Sequence, residues 1–389
     1  MLSLFQWACK SLGRMGLVFF AVALSACVPT AGPISQPSGS GAVQVALLIP
    51  SGSGQATDEL FGQNLENAAR LAMADLSGVA IDLRVYKTGG SPAQAAALAV
   101  QAVDEGAQVI LGPFYSEEAN AAGAAVAARG VNVLAFSNNA DIAGGNVFVL
   151  GQTFDNTARR LAGYAVRNGK SKILIVHDQN VAGNVGRAAI ERGVSAAGGT
   201  VVGVNSYEFS QNGIVQAATG IVQSARSSGA NAIFLTADTA GALPLISQLL
   251  IDNGVDRTTT KFIGLTRWDI PTATLSLPGV QGGWFAMPDP GLSSQFQARY
   301  QAAYGGAPVA VAGLAYDGIA AIGALARQGN AETLSATSLT QAAGFVGVSG
   351  IFRFLPNGTN ERGLAIAEVR DNQVVVIDPS PRSFAGAGF

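Results

Sequence analysis

The sequence predicts an α/β protein, with two doubly wound parallel-sheet lobes and a ligand cleft between them. Three observations lead there. Short apolar runs alternate with helix-period segments along most of the 389 residues, in two successive sets. The runs are apolar throughout, as in Ile173–Val176 and Ile233–Leu235, which suits strands covered on both faces of a parallel sheet. A tail without helical period begins near Phe345. Strands separated by helices of this length imply right-handed βαβ units.

The first set opens with a strand over Val43–Ile49 (VQVALLI) and a helix over Leu60–Leu76, whose apolar residues include Ala68, Ala69, Leu71, Ala72 and Leu76. An alternating strand, Ile81–Tyr86, precedes an Ala-rich helix over Pro92–Glu105 that starts on proline, the residue suited to a first helical position. A short strand, Val109–Leu111, runs into Gly112-Pro113. A helix over Glu117–Arg129 and strands over Val131–Phe136 and Val147–Leu150 complete the set.

The second set begins with a helix over Asn156–Asn168 and a strand over Lys172–His177. Helices over Gly183–Ala197, Gly213–Ser227 and Leu243–Asp252 then alternate with strands over Val201–Tyr207, Ala232–Thr236 and Lys261–Gly264. In the tail, Phe352 to Phe354, Leu364 to Val369 and Val374 to Ile377 read as antiparallel strands. Pro356-Asn357-Gly358 and Asp371-Asn372 supply suitable turn chemistry between them.

Composition narrows the function. A chain that is 49% hydrophobic and 12% charged is not a disordered one. Lys and Arg total 23 against 25 Asp and Glu, for a net charge of −2 and no basic cluster, so no nucleic-acid partner is expected. Two Cys and one His cannot supply a His/Cys zinc site. No metal or cofactor is expected.

The N-terminus reads as an address. Lys10 and Arg14 precede the apolar run Gly16–Leu24, which is shorter than the roughly 20 residues a bilayer span needs. The run ends in Leu24-Ser25-Ala26-Cys27, which resembles the lipobox of bacterial lipoproteins. Residues 1–26 are therefore expected to be a lipoprotein signal peptide, with Cys27 lipidated and anchoring the chain to a membrane. An ordinary signal peptide with a small-residue cleavage site is the alternative. Val28 after the cysteine favours the outer membrane by resemblance to bacterial sorting rules. Residues 27–42, rich in Pro, Gly and Ser, read as a flexible tether.

Catalytic signatures are missing. There is no Gly-x-Ser-x-Gly elbow, no His-Glu-x-x-His and no Ser-x-x-Lys. His177 beside Asp178 could be a general base, or simply a polar group at the end of a strand, and no nucleophile motif accompanies it. The chain is not expected to be an enzyme.

In open α/β sheets, ligands bind at the carboxyl ends of the strands. Those ends offer small hydroxyls and amides: Ser51, Ser116, Ser137, Asn138 and Asn139 in the first set, and Asn180, Asp238, Arg267 and Trp268 in the second. Each reads either as a ligand contact or as local loop structure. Ser and Asn can serve as helix caps, and Trp268 as core. Ser116 and Ser137 beside helix starts favour a carboxylate or another compact anion. Arg267 would add a positive charge across the cleft.

Several segments resemble type I periplasmic binding proteins of the leucine/isoleucine/valine-binding family: VALLIPSGSG, FGQNLENAARLAMAD, LRVYKTGGSPAQAAALAVQAVDEGAQVILGPFYSEEANAA, VNVLAFSNN, KILIVHDQN and AYDGIAAIGAL. The resemblance spans nearly all of 43–378. It implies two lobes joined by three hinge crossings near Thr153, Ala286 and Thr340. Lobe 1 is then 43–153 plus 286–340, lobe 2 is 154–285 plus 341–378, and 379–389 is a C-terminal tail. It also implies that Ser116 and Ser137 match hydroxyls that hold a ligand carboxylate. The positions expected to carry an aromatic and an acid in lobe 2 fall at Ala182 and near Thr266-Arg267. The function implied is a periplasmic solute-binding component of an ABC importer, taking an amino acid or related small polar ligand and meeting the importer's membrane subunits. A second resemblance is to the C-terminal domain of lipoprotein activators of penicillin-binding proteins. It rests on the first-lobe segments and on the tail GIFRFLPNGTNERGLAIAEVRDNQVVVIDP. It implies instead a partner role with a penicillin-binding protein in peptidoglycan synthesis.

Overall fold

The computed structural model describes residues 41–329 and 333–385. The expected signal peptide, Cys27, the tether up to Ser40 and the last residues of the tail lie outside the described residues.

The first lobe runs β1 (Val43–Ile49), α1 (Ala56–Asp75), β2 (Ile81–Lys87), α2 (Pro92–Asp104), β3 (Val109–Leu111), α3 (Ser116–Val126), β4 (Asn132–Ala135) and β5 (Val147–Val149). These strands form an all-parallel sheet in the order β2-β1-β3-β4-β5. The alternation of strand side chains decides what covers it. Val45, Leu47 and Ile49 enter one core layer, while Ala46 and Leu48 enter the layer beneath α2 and α3. Unbroken apolarity in β1 is thus a consequence of two covered faces. Ser91 caps α2 by accepting the Gln94 N–H at 3.4 Å, with Pro92 as the first helical residue.

The second lobe runs α4 (Phe154–Arg167), β6 (Lys172–Asp178), α5 (Val181–Ala196), β7 (Thr200–Tyr207), α6 (Gln211–Ser228), β8 (Ala232–Leu235), α7 (Leu243–Asp252), β9 (Lys261–Gly264) and β10 (Trp284–Met287). β6 repeats the two-faced logic of β1. Ile173 and Ile175 pack with α4 and α5, while Leu174 and Val176 pack with α6 and α7. Gly193 lets α5 approach α4 closely, because a Cβ there would lie 2.9 Å from the Ala158 carbonyl carbon.

The chain then returns to the first lobe with α8 (Pro290–Tyr304), α9 (Ala312–Ala326), α10 (Ala336–Leu339), β11 (Phe345–Gly347), β12 (Gly350–Phe354) and β13 (Asn360–Arg362). α9 covers the open face of the first sheet beside α1. β11, β12 and β13 form a separate antiparallel sheet. Its Phe345, Phe352 and Phe354 lie in the first-lobe core with Val45 and Leu111, and Phe354 meets Phe148 edge-on at 5.6 Å. The lobe boundary expected near Thr340 is corrected accordingly. Residues 345–362 belong with the first lobe because these phenylalanines are buried there, and the third crossing is Gly363-Leu364.

β14 (Ala365–Arg370) and β15 (Gln373–Asp378) finish the second lobe as an antiparallel extension, giving the sheet order β15-β14-β10-β9-β8-β6-β7. Asp371 and Asn372 join them with φ of 52° and 62°, the left-handed pair a two-residue hairpin turn requires. No helix among the described residues is long and apolar enough to cross a membrane.

Candidate functional site

Topology fixes where a cleft must be. The chain leaves the first lobe from the carboxyl end of β5 and leaves the second from the carboxyl end of β10. Met287 pairs with Ala365, so β14 enters at that same end of the second sheet. All three crossings therefore join carboxyl ends, and the strand-end loops of the two lobes share one gap. On one side of the joint, a cavity of about 420 Å³ lies between Arg267 and Ile270 of the second lobe and Phe296, Gln297 and Val309 of the first.

The joint is held by buried polar groups. Arg362 donates through Nε to the Leu150 carbonyl at 3.0 Å and through Nη1 to Asp317 at 2.9 Å. Asp317 also accepts the Val348 N–H at 2.8 Å. Burial pushes the Asp317 carboxyl up, against the pull of Arg362. Thr153 and Asn156 cap α4 reciprocally, at 3.3 and 2.9 Å, and the Asn156 side chain donates to the Asn360 carbonyl at 2.8 Å. The first and third crossings are thereby tied together. At the second crossing, Asp289 caps α8 and accepts a hydrogen bond from Ser380. Burial opposes ionisation there, yet these hydrogen bonds hold its carboxyl below the usual range.

The first-lobe rim is acidic. The Tyr115 hydroxyl donates to Asp58 Oδ1 at 2.5 Å, the Gly52 N–H to Glu59 at 2.6 Å, the Ser116 hydroxyl to Glu117 at 3.1 Å and the Tyr115 N–H to Glu118 at 3.4 Å. The bond to Asp58 and burial push the Tyr115 hydroxyl up to about 12. Glu118 is fully buried and its Oε1 has no partner. Burial pushes its carboxyl up, against hydrogen bonds with Thr88 and the Tyr115 N–H, and the nearby Asp58 and Glu117 add to the rise.

Most of the expected site residues serve their own loops. Ser137 accepts the Asn139 N–H at 3.1 Å, Asn139 accepts the Asp141 N–H at 2.9 Å, and Asn180 caps α5 by accepting the Gly183 N–H at 2.7 Å. Asp238 accepts the Gly241 N–H at 2.5 Å. Ser51 is buried with its hydroxyl against α1, where a Cβ on Gly62 would lie 2.0 Å away. Asn138 is exposed at the end of β4.

Two expected residues have local partners, and a third is corrected. Ser116 is the first residue of α3, not its cap, and its hydroxyl is taken by Glu117 beside a second carboxylate, which opposes an anion there. Arg267 is bound by Asp269 through two nitrogens, so its charge is answered locally. Trp268 is 0% exposed in the second-lobe core, packed against Gly264 and Gly283 and stacked near Phe285 at 6.4 Å. It cannot touch a ligand from there.

His177 is buried with Nδ1 3.0 Å from the Asp178 carbonyl, and Asp178 receives the Tyr207 hydroxyl. Burial and that bond push the Tyr207 hydroxyl up. The residues missed by sequence reasoning are Asp58, Tyr115 and Glu118. Their signal was the acidic pair opening each of two helices directly after a strand-end loop, Asp58-Glu59 and Glu117-Glu118.

The second-lobe rim exposes three large apolar residues among its charged Glu208, Asp238 and Arg267. Val181 is 82% exposed at the start of α5, Phe209 54% exposed after β7, and Ile270 50% exposed after β9. Phe209 lies against Gly241, and the Thr239 hydroxyl donates to the Ile270 carbonyl at 2.7 Å, so the rims after β7, β8 and β9 are continuous.

Comparison with known proteins agrees with this architecture. A family model described as periplasmic binding protein matches residues 42–373. Among solved structures, the chain is similar to a candidate branched-chain amino acid ABC transporter from Rhodospirillum rubrum, at 20% identity over 87% of this chain and 100% of that one, with a TM-score of 0.73. It is also similar to an ABC transporter substrate-binding protein from Desulfitobacterium hafniense in complex with Leu (19%, covering 87% and 100%, TM-score 0.62). A third is a solute-binding protein of an ABC transporter from R. palustris in complex with benzoate (19%, covering 88% and 97%, TM-score 0.56). No curated protein sequence matches. At these identities the solved structures speak for the fold, and the family model for membership: the chain belongs to the periplasmic binding protein family, in its two-lobed type I form.

Proposed function

We propose that this chain is an extracytoplasmic solute-binding protein that holds a small ligand between its lobes and delivers it to the membrane subunits of an ABC importer. The observation that carries the reading is the joining of both sheets at their carboxyl ends, which gives one gap two sets of strand-end loops. Solved relatives bound to Leu and to benzoate support a small ligand, an amino acid or a related molecule. Lipidation at Cys27 would keep the protein at a membrane, with the outer membrane favoured by Val28. Titration calorimetry with a panel of small metabolites tests the reading, with small-angle scattering on each binder. A ligand that prefers the closed state should reduce the radius of gyration. Membrane attachment that survives Cys27→Ser would remove the anchor from this reading.

A second reading, a regulator of penicillin-binding proteins, draws on one observation. Of the two first-lobe hydroxyls expected to hold a ligand carboxylate, Ser116 already donates to the chain's own Glu117. Capture of a membrane synthase by the purified protein, with no binder in the panel, would favour it.

A further inference from the structure

The first-lobe rim is lined by the chain's own acids, with Glu118 pushed by burial towards its neutral form, and one carboxyl oxygen each of Asp58 and Glu118 is left over. Asp58 is 6% exposed, and only its Oδ1 is engaged, by Tyr115. Glu118, behind it, is fully buried with Oε1 unpartnered, although a buried carboxylate oxygen without a donor is costly. Both face the same loops, since Gly90 lies against Asp58 Oδ2 and the Tyr115 ring, and Asp58 acts electrostatically on Glu118. Lys87, exposed at the end of β2 beside Gly52, is a cation on this rim. A carboxylate brought here meets like charges and finds the nearby donors taken. A group rich in N–H donors meets unused acceptors. Across the gap, Val181, Phe209 and Ile270 offer exposed apolar surface after β6, β7 and β9.

We propose that the cleft takes an amine with an apolar body, its ammonium held by Asp58 and Tyr115 and its hydrocarbon part by Val181, Phe209 and Ile270, and that it rejects carboxylates. This rests on the solute-binding reading and narrows its ligand class. An ammonium donating to Asp58 Oδ2 makes the charge-assisted bond that the apo rim lacks. The ligand's apolar part loses water against the second lobe when the lobes close.

The test is titration calorimetry of the full chain with isopentylamine and 2-phenylethylamine, against leucine and benzoate at the same concentrations, with small-angle scattering in parallel. At least one amine should bind and compact the protein, and leucine and benzoate should not. Asp58→Asn should weaken amine binding by about tenfold to a hundredfold. Phe209→Ser, on the opposite lobe, is an independent arm that does not depend on Asp58→Asn folding, and it should weaken binding several-fold. Leucine or benzoate binding as tightly as the amines overturns the proposal and leaves the solute-binding reading standing. Silence from all four probes, with no compaction, overturns the amine proposal, and the solute-binding reading is then decided by the wider metabolite panel. Amine binding unchanged in both variants overturns the site.

Discussion

The two lobes share a strand–helix plan, each with a tyrosine hydroxyl on a buried strand-end carboxylate, and differ in what else their rims carry. The first lobe buries carboxylates at its rim and joint: Asp58, Glu118 and Asp317. The second lobe buries one rim carboxylate, Asp178, and both its indoles, Trp268 and Trp284, and leaves Val181, Phe209 and Ile270 uncovered at the facing rim. In the proposed site, the same scaffold would offer polar recognition from one side and apolar contact from the other. Division of labour between lobes does not require different folds, only different residues after the strands.

The contrast can be broken at several points. The largest effect should come from Arg362→Ala, which strips Asp317 of its partner and leaves an unpaired buried charge. Denaturant unfolding should show a loss of about 3–5 kcal/mol. Replacing exposed residues of the second lobe should do nothing comparable.

Next is Glu118. A carboxyl raised in the folded state keeps its proton there after the unfolded chain has released it. Its contribution is therefore complete below the ordinary carboxylate range and is lost as pH rises through the folded value. Glu118→Gln should flatten the fall in Tm between about pH 4 and neutrality, measured by thermal unfolding across pH. An unchanged slope would mean that Glu118 is ionised in the folded protein.

Val181→Ser and Phe209→Ser should shift stability by no more than about 0.5 kcal/mol, since neither side chain is buried. A large loss in either would show that these side chains are covered in solution. The smallest effect should belong to the Ser116→Ala, Ser137→Ala pair. Both hydroxyls serve their own loops, so ligand affinity should change less than about threefold, which corresponds to less than a typical net hydrogen bond. A hundredfold loss would restore the anion-holding role.

How much of this was legible in the sequence follows from the same physics. Two-faced burial makes strands such as β1 and β6 unbroken apolar runs, and Pro92, Gly198 and Asp371-Asn372 punctuate in fixed ways, so the lobes could be read. The segment 345–362 could not be assigned correctly. Its strands were visible, but nothing local says which core receives Phe345, Phe352 and Phe354. α8 went unread because Phe296 and Tyr300 are its only buried residues, too few to mark a periodic face. At the site, Ser and Asn look the same whether they hold a ligand or a helix end. The structure places Ser137, Asn139 and Asn180 in the second role. The buried acids were overlooked because acidic residues in a first helical turn ordinarily answer the helix dipole and need no further explanation.

One feature of the tail bears on how the lobes can move. After β15 the chain does not end on the second lobe. Ser380 bonds to Asp289, Pro381 lies against Gly363, and the Phe384 ring sits under the Arg353 guanidinium at 4.5 Å, on the first-lobe sheet of β11–β13. Residues 379–385 are therefore a fourth span across the joint, clipped by side chains at its far end. In mechanical terms the joint is a pivot with a stay. Three spans set its axis, and the fourth limits how far the lobes can swing apart before its fastenings at Ser380 and Phe384 are pulled loose.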